Sequence, residues 1–335
     1  MKRYSRQMLF QPIGEAGQKK LQQSSVCIIG MGALGTVLAS HMVRAGVGLV
    51  RMVDRDYVEL SNLQRQMLFD EDDVRDSLPK VIAAENKLRK VNSSVQLEAI
   101  VADVSLNNID ALLQGVDLVL DATDNFATRY LLNDACWQRN IPFVYGGAVS
   151  SRGMSGIFIP GQTPCLRCFI QSADSTGQTC DTVGVIAPVV DIVASYQAVE
   201  ALKFLVGAEK QHRESLVTFD IWHNQYFELK YNAPRPDCPC CGTKQYPALQ
   251  EEQQLVVTLC GRETVQFVSR EELNLKQWKE RLEGIATAIR FNPYLLKVEL
   301  PEGERLVIFA DGRVLVQGTE DLVRAKTIYA RYIGM

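Results

Sequence analysis

Histidine is scarce in this chain of 335 residues: His41, His212 and His223 are all there are. A mechanism built on a histidine base and its supporting triad is unattractive from the outset. Long apolar runs are missing too, none approaching the roughly 18 residues of a membrane span. No apolar signal region follows the opening Met1-Lys2-Arg3-Tyr4-Ser5-Arg6-Gln7, so a cytoplasmic location without membrane association is expected. Neither sign of charge dominates. With 36 Lys and Arg against 39 Asp and Glu the net charge is −3, which leaves no electrostatic footprint for nucleic acid. Internal repeats and low-complexity tracts are also absent.

What is there is an ordinary globular composition, 47% hydrophobic and 22% charged, in a chain long enough for two or three domains. Apolar strand-like and helix-like segments alternate through the first half. Strands are expected at Val26–Gly30, Gly48–Val53, Val95–Val101, Val116–Asp121 and Phe143–Gly146, with helices at Ala33–Ala45, Pro79–Val91, Leu106–Leu113 and Asn125–Arg139. Near-continuous valine, isoleucine and leucine in such strands means a parallel sheet covered on both faces. Gly153–Ile159, Leu216–Asp220 and Tyr226–Tyr231 read as antiparallel strands extending it. The helix Pro188–Val206 is apolar enough to be expected deep in the core. The proline-, cysteine- and glycine-rich stretch 232–249 marks a boundary, giving domains 1–249 and 250–335. The second is a small α+β unit with strands at Leu255–Cys260, Thr264–Val268, Leu295–Leu300, Arg305–Phe309 and Val314–Gln317. Its helices are expected at Leu275–Leu282 and Thr319–Tyr332, and Asp311-Gly312 signals a hairpin.

Within the first strand–helix junction stands Gly30-Met31-Gly32-Ala33-Leu34-Gly35. The first glycine turns the chain, the second lets main chain approach phosphate and the third packs helix on strand. Ala33 opens the helix, whose terminal N–H groups favour anions. Asp54 ends the next strand, where a carboxylate can accept ribose hydroxyls. Alone, this cradle equally fits an NAD-dependent oxidoreductase. That alternative leaves Arg65, Lys80, Asp124 and the paired cysteines without a purpose.

Nine cysteines in such a chain point to metal or reactive thiols rather than disulfides. Cys165/Cys168 and Cys238/Cys241 form two C-x-x-C pairs, which suit a closed, structural four-cysteine zinc site of about one Zn2+ per chain. Two unrelated redox or buried pairs are the alternative, and Cys240 stands where it can compete as a ligand. Cys27 and Cys136 read as core residues.

Arg3-Tyr4-Ser5-Arg6-Gln7, the glycine motif, Asp54, Ser61-Asn62-Leu63-Gln64-Arg65-Gln66, Pro79-Lys80 and Asp121-Ala122-Thr123-Asp124-Asn125 occur in that order, followed by Cys165-x-x-Cys168, Thr179-Cys180 and Cys238-x-x-Cys241. The series, over about residues 3 to 245, resembles the ThiF/MoeB/HesA family of E1-like adenylyltransferases that act on sulfur-carrier proteins. The resemblance implies a Rossmann-like, doubly wound α/β fold. It also implies ATP-dependent adenylation of the C-terminal glycine of a ubiquitin-like carrier ending in Gly-Gly (ThiS- or MoaD-like), with pyrophosphate released and sulfur moved on toward thiamine thiazole or molybdopterin. ATP, Mg2+ and Zn2+ are then expected. A homodimer is implied, with Arg6 reaching the neighbouring subunit's ATP, and a cysteine desulfurase or another sulfur donor is a further partner.

The carrier's carboxylate is already ionised at neutral pH, so the reaction asks for positioned anions and cancelled charge rather than a base. Arg65 and Lys80 are the local cations. Asp124 resembles the family's magnesium aspartate, Asn62 and Gln64 are polar contacts to phosphate or ribose, and Asp56 and Asn125 lie close by. Cys180 matches the cysteine that accepts the acyl group or sulfur after adenylation. Each has a plain alternative: surface charge for Arg65 and Arg6, an exposed first-turn residue for Lys80, a helix N-cap for Asp124. Cys260-Gly261-Arg262 lacks the cradle of a rhodanese loop, so the C-terminal unit brings no sulfurtransferase signature. A silent scaffold for ubiquitin-like proteins is a third reading.

Overall fold

Strands rich in valine and leucine have no polar side, and the first unit is built to cover both of theirs. A computed structural model describes residues 2–170, 183–250, 256–259, 263–269 and 271–334. Contacts divide the chain into Met1–Arg75 with Pro79–Glu251, and Asp76–Leu78 with Glu252–Met335. The first unit runs α1 (Ser5–Met8), α2 (Gly14–Gln23), β1 (Ser25–Ile29), α3 (Ala33–Ala45), β2 (Leu49–Asp54), α4 (Glu71–Arg75), α5 (Lys80–Val91), β3 (Gln96–Val101), α6 (Ile109–Leu113), β4 (Leu118–Asp121), α7 (Phe126–Arg139), β5 (Phe143–Val149), β6 (Arg152–Phe158), α8 (Leu166–Phe169), α9 (Ala187–Val206), β7 (Ser215–Asp220) and β8 (Gln225–Lys230).

Its eight strands lie in the order β3-β2-β1-β4-β5-β6-β7-β8. Neighbours from β3 to β5 are parallel, and β6, β7 and β8 join antiparallel. Ile29 is level with Val53 on one side and Asp121 on the other. Gly30 and Ala122 therefore leave the sheet together, beside Asp54 at the end of β2, on its carboxyl edge. The strand order reverses between β1 and β4, and such a switch point is where open α/β sheets bind ligands.

Cys27, Ile29, Val53, Val119 and Phe143 pack with Ile109, Leu113, Leu132 and Cys136 in one core cluster. Val26 and Ile28, alternating with them, are also fully buried. Cys27 and Cys136 are thus core residues as expected, and burial pushes the Cys27 thiol up to about 12. α9 departs from expectation. Val189, Val190, Val193 and Ala194 face inward, but Ile192 is 37% and Val199 49% exposed, because continuous apolar composition hides which stripe of a helix is covered. α1 and α2 carry no clear apolar period, since Gly14–Gln23 buries only Gly17, Gln18 and Leu21.

The second unit contains β9 (Val256–Leu259), β10 (Thr264–Val268), α10 (Leu275–Leu282), β11 (Ala288–Phe291), β12 (Leu295–Glu299), β13 (Arg305–Phe309), β14 (Arg313–Gln317) and α11 (Leu322–Tyr332). All neighbours in its sheet, ordered β11-β12-β13-β14-β10-β9, are antiparallel. Val265, Leu296, Ile308 and Val316 pack against Leu275, Leu282 and Ile328. β11 is an addition to the expected strands; its mostly exposed residues give no alternation to read. Cys260-Gly261-Arg262 lies outside the described residues.

Candidate functional site

Two of the three motif glycines close the first turn, and the third leaves it open. Gly30 has φ +93°, and a Cβ there would stand 2.6 Å from the Ala122 carbonyl oxygen. A Cβ on Gly35 would run into the Gly30 carbonyl. A Cβ on Gly32 would meet only Gln66 Nε2, at 3.7 Å. This space beside main chain at the start of α3 fits a phosphate group.

Asp54 lies beneath that loop. Its carboxylate accepts the Met31 N–H at 2.6 Å and the Asp56 N–H at 2.7 Å. The aspartate expected to meet ribose thus also shapes the glycine turn. Burial raises its pKa, and the nearby Lys80 ammonium opposes the rise. Lys80 is not an exposed first-turn residue: it is 6% exposed, with Nζ 3.2 Å from Asp56 Oδ2. Its own N–H donates to the Asp56 carbonyl at 2.9 Å.

The segment Ser61–Gln66 approaches from beside the loop. Asn62 is buried, and its Oδ1 accepts the Glu59 N–H at 3.0 Å in a capping box, so that oxygen also holds the turn. Gln64 is exposed and Arg65 half-buried, with Arg65 Nη1 donating to the Ser61 carbonyl at 3.0 Å. Gln66 joins the site without having been singled out by the sequence. It is 3% exposed, and its Oε1 finds no hydrogen-bond partner among the described residues. Its place at the end of the motif is the one signal that points to it.

After β4 the chain turns through Asp121–Asn125. The cap of α7 is Asn125, whose side chain accepts the Thr128 N–H at 2.8 Å. The capping alternative for Asp124 is therefore overturned, and Asp124 lies exposed at the rim. Behind it, Asp121 is fully buried with Arg129 Nε 3.3 Å from Oδ2, and Thr123 donates to Oδ1 through N–H at 2.9 Å and Oγ1 at 2.7 Å. Burial raises the Asp121 pKa against the pull of Arg129. Arg129 also donates to the Thr123 carbonyl at 2.7 Å, and Gln197 Nε2 to the Asp121 carbonyl at 2.7 Å. These two supports come from α7 and α9, and no local motif marks either. Arg6 sits exposed on α1, making no hydrogen bond to these groups among the described residues. Cys180 lies outside the described residues.

The cysteine quartet assembles beside the middle of α7, at Asn133 and Asp134. The Sγ atoms of Cys165, Cys168, Cys238 and Cys241 all lie within 4.8 Å of one another, with Cys165 and Cys238 at 3.5 Å and Cys168 and Cys241 at 3.3 Å. The unrelated-pairs alternative is overturned, and four closely gathered sulfurs suit a tetrahedral zinc. Cys240 is outside this group of four, although its sulfur still reaches Cys165, and Asn133 Nδ2 donates to it at 3.1 Å.

A family model described as the ThiF family matches residues 4–240. The chain belongs to the ThiF family. Among relatives, the sulfur carrier protein ThiS adenylyltransferase of Bacillus subtilis is 46% identical over 336 residues, covering 99% of each chain. The sulfur carrier protein adenylyltransferase of Thermus thermophilus is 36% identical over 247 residues, 72% of this chain and 90% of that protein. Among solved structures, E. coli MccB with MccA-N7isoASN superposes with a TM-score of 0.64 at 26% identity, over 72% of this chain and 75% of that one. The glycine edge and the first cysteine pair lie inside the matched residues, and the second pair straddles their end, with Cys238 inside and Cys241 one residue beyond.

Proposed function

We propose that this ThiF-family adenylyltransferase activates the C-terminal glycine of a ubiquitin-like sulfur carrier of the ThiS type. The observation that carries it is the open face of Gly32, set between Asp54, the Lys80–Asp56 pair and the Asp124 turn on one sheet edge. The ThiS type is favoured over the MoaD type because likeness to the Bacillus enzyme runs through the second unit as well.

In this reading the carrier carboxylate attacks the α-phosphorus of ATP. One carboxyl O–P bond forms, the bond to the β-phosphate bridge breaks, and pyrophosphate leaves with its charge. Main-chain N–H groups at Gly32 and Ala33 face the phosphates. Lys80 and Arg65 offset the charge gathering on them. Asp54 has lone pairs left for ribose, and Gln64 and Asn125 border the same rim. Asp124 would hold Mg2+, which would neutralise phosphate oxygens when bound. Arg6 would act on the site of a second copy in a homodimer. Zn2+, bound by Cys165, Cys168, Cys238 and Cys241, would be structural. Cys180 would then take the acyl group from the adenylate as a thioester, with AMP leaving, or take sulfane sulfur from the persulfide of a desulfurase or another donor, whose thiol leaves.

Carrier-dependent exchange of labelled pyrophosphate into ATP tests the reading. Exchange that requires a carrier ending in Gly-Gly supports it; NADH formation in its place, or carrier binding without exchange, overturns it.

A further inference from the structure

We infer that Asn133 and Asp134, consecutive on α7, form a metal-independent clasp that holds the two cysteine knuckles together and keeps Cys240 off the metal. The inference rests on the reading of the quartet as a zinc site. Metal binding has to meet the cost of gathering ligands from two distant segments, and contacts that already join those segments lower it.

Each α7 side chain bridges the two segments. Asn133 Oδ1 accepts the Leu166 N–H at 3.0 Å within the first knuckle, and its Nδ2 donates to Cys240 Sγ at 3.1 Å within the second. Asp134 takes a two-pronged contact from Arg167, Nε at 2.8 Å and Nη2 at 2.9 Å, between the first two ligands. It also accepts the Ala248 N–H at 3.0 Å, beyond the second knuckle. Both side chains are fully buried, where a carboxylate is tolerated only when paired and hydrogen-bonded. The Arg167 guanidinium lies 4.2 Å from the centre of the Tyr130 ring, so α7 fixes its orientation too.

Ligand choice follows from the same contact. The second knuckle reads Cys238-Pro239-Cys240-Cys241, and spacing does not say which pair binds. The four sulfurs that gather are those of Cys165, Cys168, Cys238 and Cys241; Cys240, though in reach of Cys165, has its sulfur engaged by the amide donor of Asn133. Asn133 and Asp134 are positioning residues of the kind that orient ligands from behind.

The test uses full-length, zinc-loaded protein and a chromophoric chelator competing for the ion. Asp134→Ala and Arg167→Lys are expected to weaken zinc binding by about 10- to 100-fold, with Arg167→Lys, at a half-buried position, serving if Asp134→Ala does not fold. Cobalt-loaded Cys240→Ala keeps the absorption of four thiolate ligands, whereas Cys241→Ala loses it. Zinc affinity unchanged in both clasp variants, with only thermal stability reduced, overturns the clasp. A three-thiolate spectrum in Cys240→Ala overturns the exclusion of Cys240. Wild-type protein that takes up no zinc overturns the zinc reading and the clasp with it, whereas tight wild-type binding with unaltered variants sinks the clasp alone.

Discussion

Lys80 and Asp56 are joined twice: the ammonium stands 3.2 Å from Asp56 Oδ2, and the Lys80 N–H donates to the Asp56 carbonyl at 2.9 Å. A cation pinned at both ends of its residue is already oriented for the phosphates of the proposed site, so little side-chain freedom would be lost on binding. Lys80→Met is expected to lower carrier-dependent pyrophosphate exchange by about 100- to 1000-fold. Asp56→Asn, which loosens the same lysine, should cost roughly tenfold. Steady-state exchange rates check both, and a Lys80 variant at wild-type rate would remove it from the proposed site.

The glycines separate folding from binding. Gly32→Ala places its methyl in open space and should melt within a few degrees of wild type while losing ATP affinity, read by calorimetric titration. Gly35→Ala meets the Gly30 carbonyl and should lose about 1–3 kcal/mol of stability in urea unfolding. Equal stability of the two variants would contradict the geometry.

Arg129 is the ion-pair partner of the buried Asp121. Arg129→Met leaves that carboxylate uncompensated and should cost about 3–5 kcal/mol. Adding Asp121→Asn should restore part of the loss in denaturant unfolding. No restoration would mean that the arginine works chiefly through its carbonyl contacts.

Asp54 gives a pH dependence. Its folded pKa lies above the ordinary 3.8 because burial disfavours the charge, with Lys80 opposing. The folded state then binds the proton more tightly than the unfolded chain, so the cost of the buried charge is present at neutral pH. That cost falls away as pH drops through the raised value toward 3.8. Wild type should therefore gain stability relative to Asp54→Asn on going from neutral to mildly acid pH. Paired urea titrations measure the difference, and the opposite trend would show Lys80 outweighing burial.

Cys180→Ala is expected to retain pyrophosphate exchange, because adenylation precedes the step assigned to it, and to lose sulfur transfer to the carrier. Unchanged sulfur transfer would take the cysteine out of the proposal.

Much of the fold is legible in the chain. α3 runs from Ala33 to Ala45 as the apolar spacing after the glycines requires, and Thr264–Val268 and Arg305–Phe309 form as strands at their expected bounds. The C-x-x-C pairs announce the quartet. Less visible are residues whose role depends on a competing neighbour or a distant partner. Asp124 is as fit to cap α7 as Asn125, yet Asn125 caps it; Asn62 has the chemistry of a ligand contact, yet its Oδ1 closes a turn.

Local pattern alone determined the order of the eight strands of the first unit, the carboxyl edge where Gly30 follows β1 and Asp54 and Asp121 end β2 and β4, and the four sulfurs. Periodicity and short motifs act between neighbours in the chain, so they survive without the fold. The tertiary structure decided which polar groups are structural and which stay open: Asp54 beneath the loop, Arg129 and Gln197 behind Asp121, Gln66 beside Gly32, Asn133 against Cys240. Buried polar groups have to find partners wherever packing brings them, as Asp134 finds the Ala248 N–H 114 positions away, beyond the reach of any local signal.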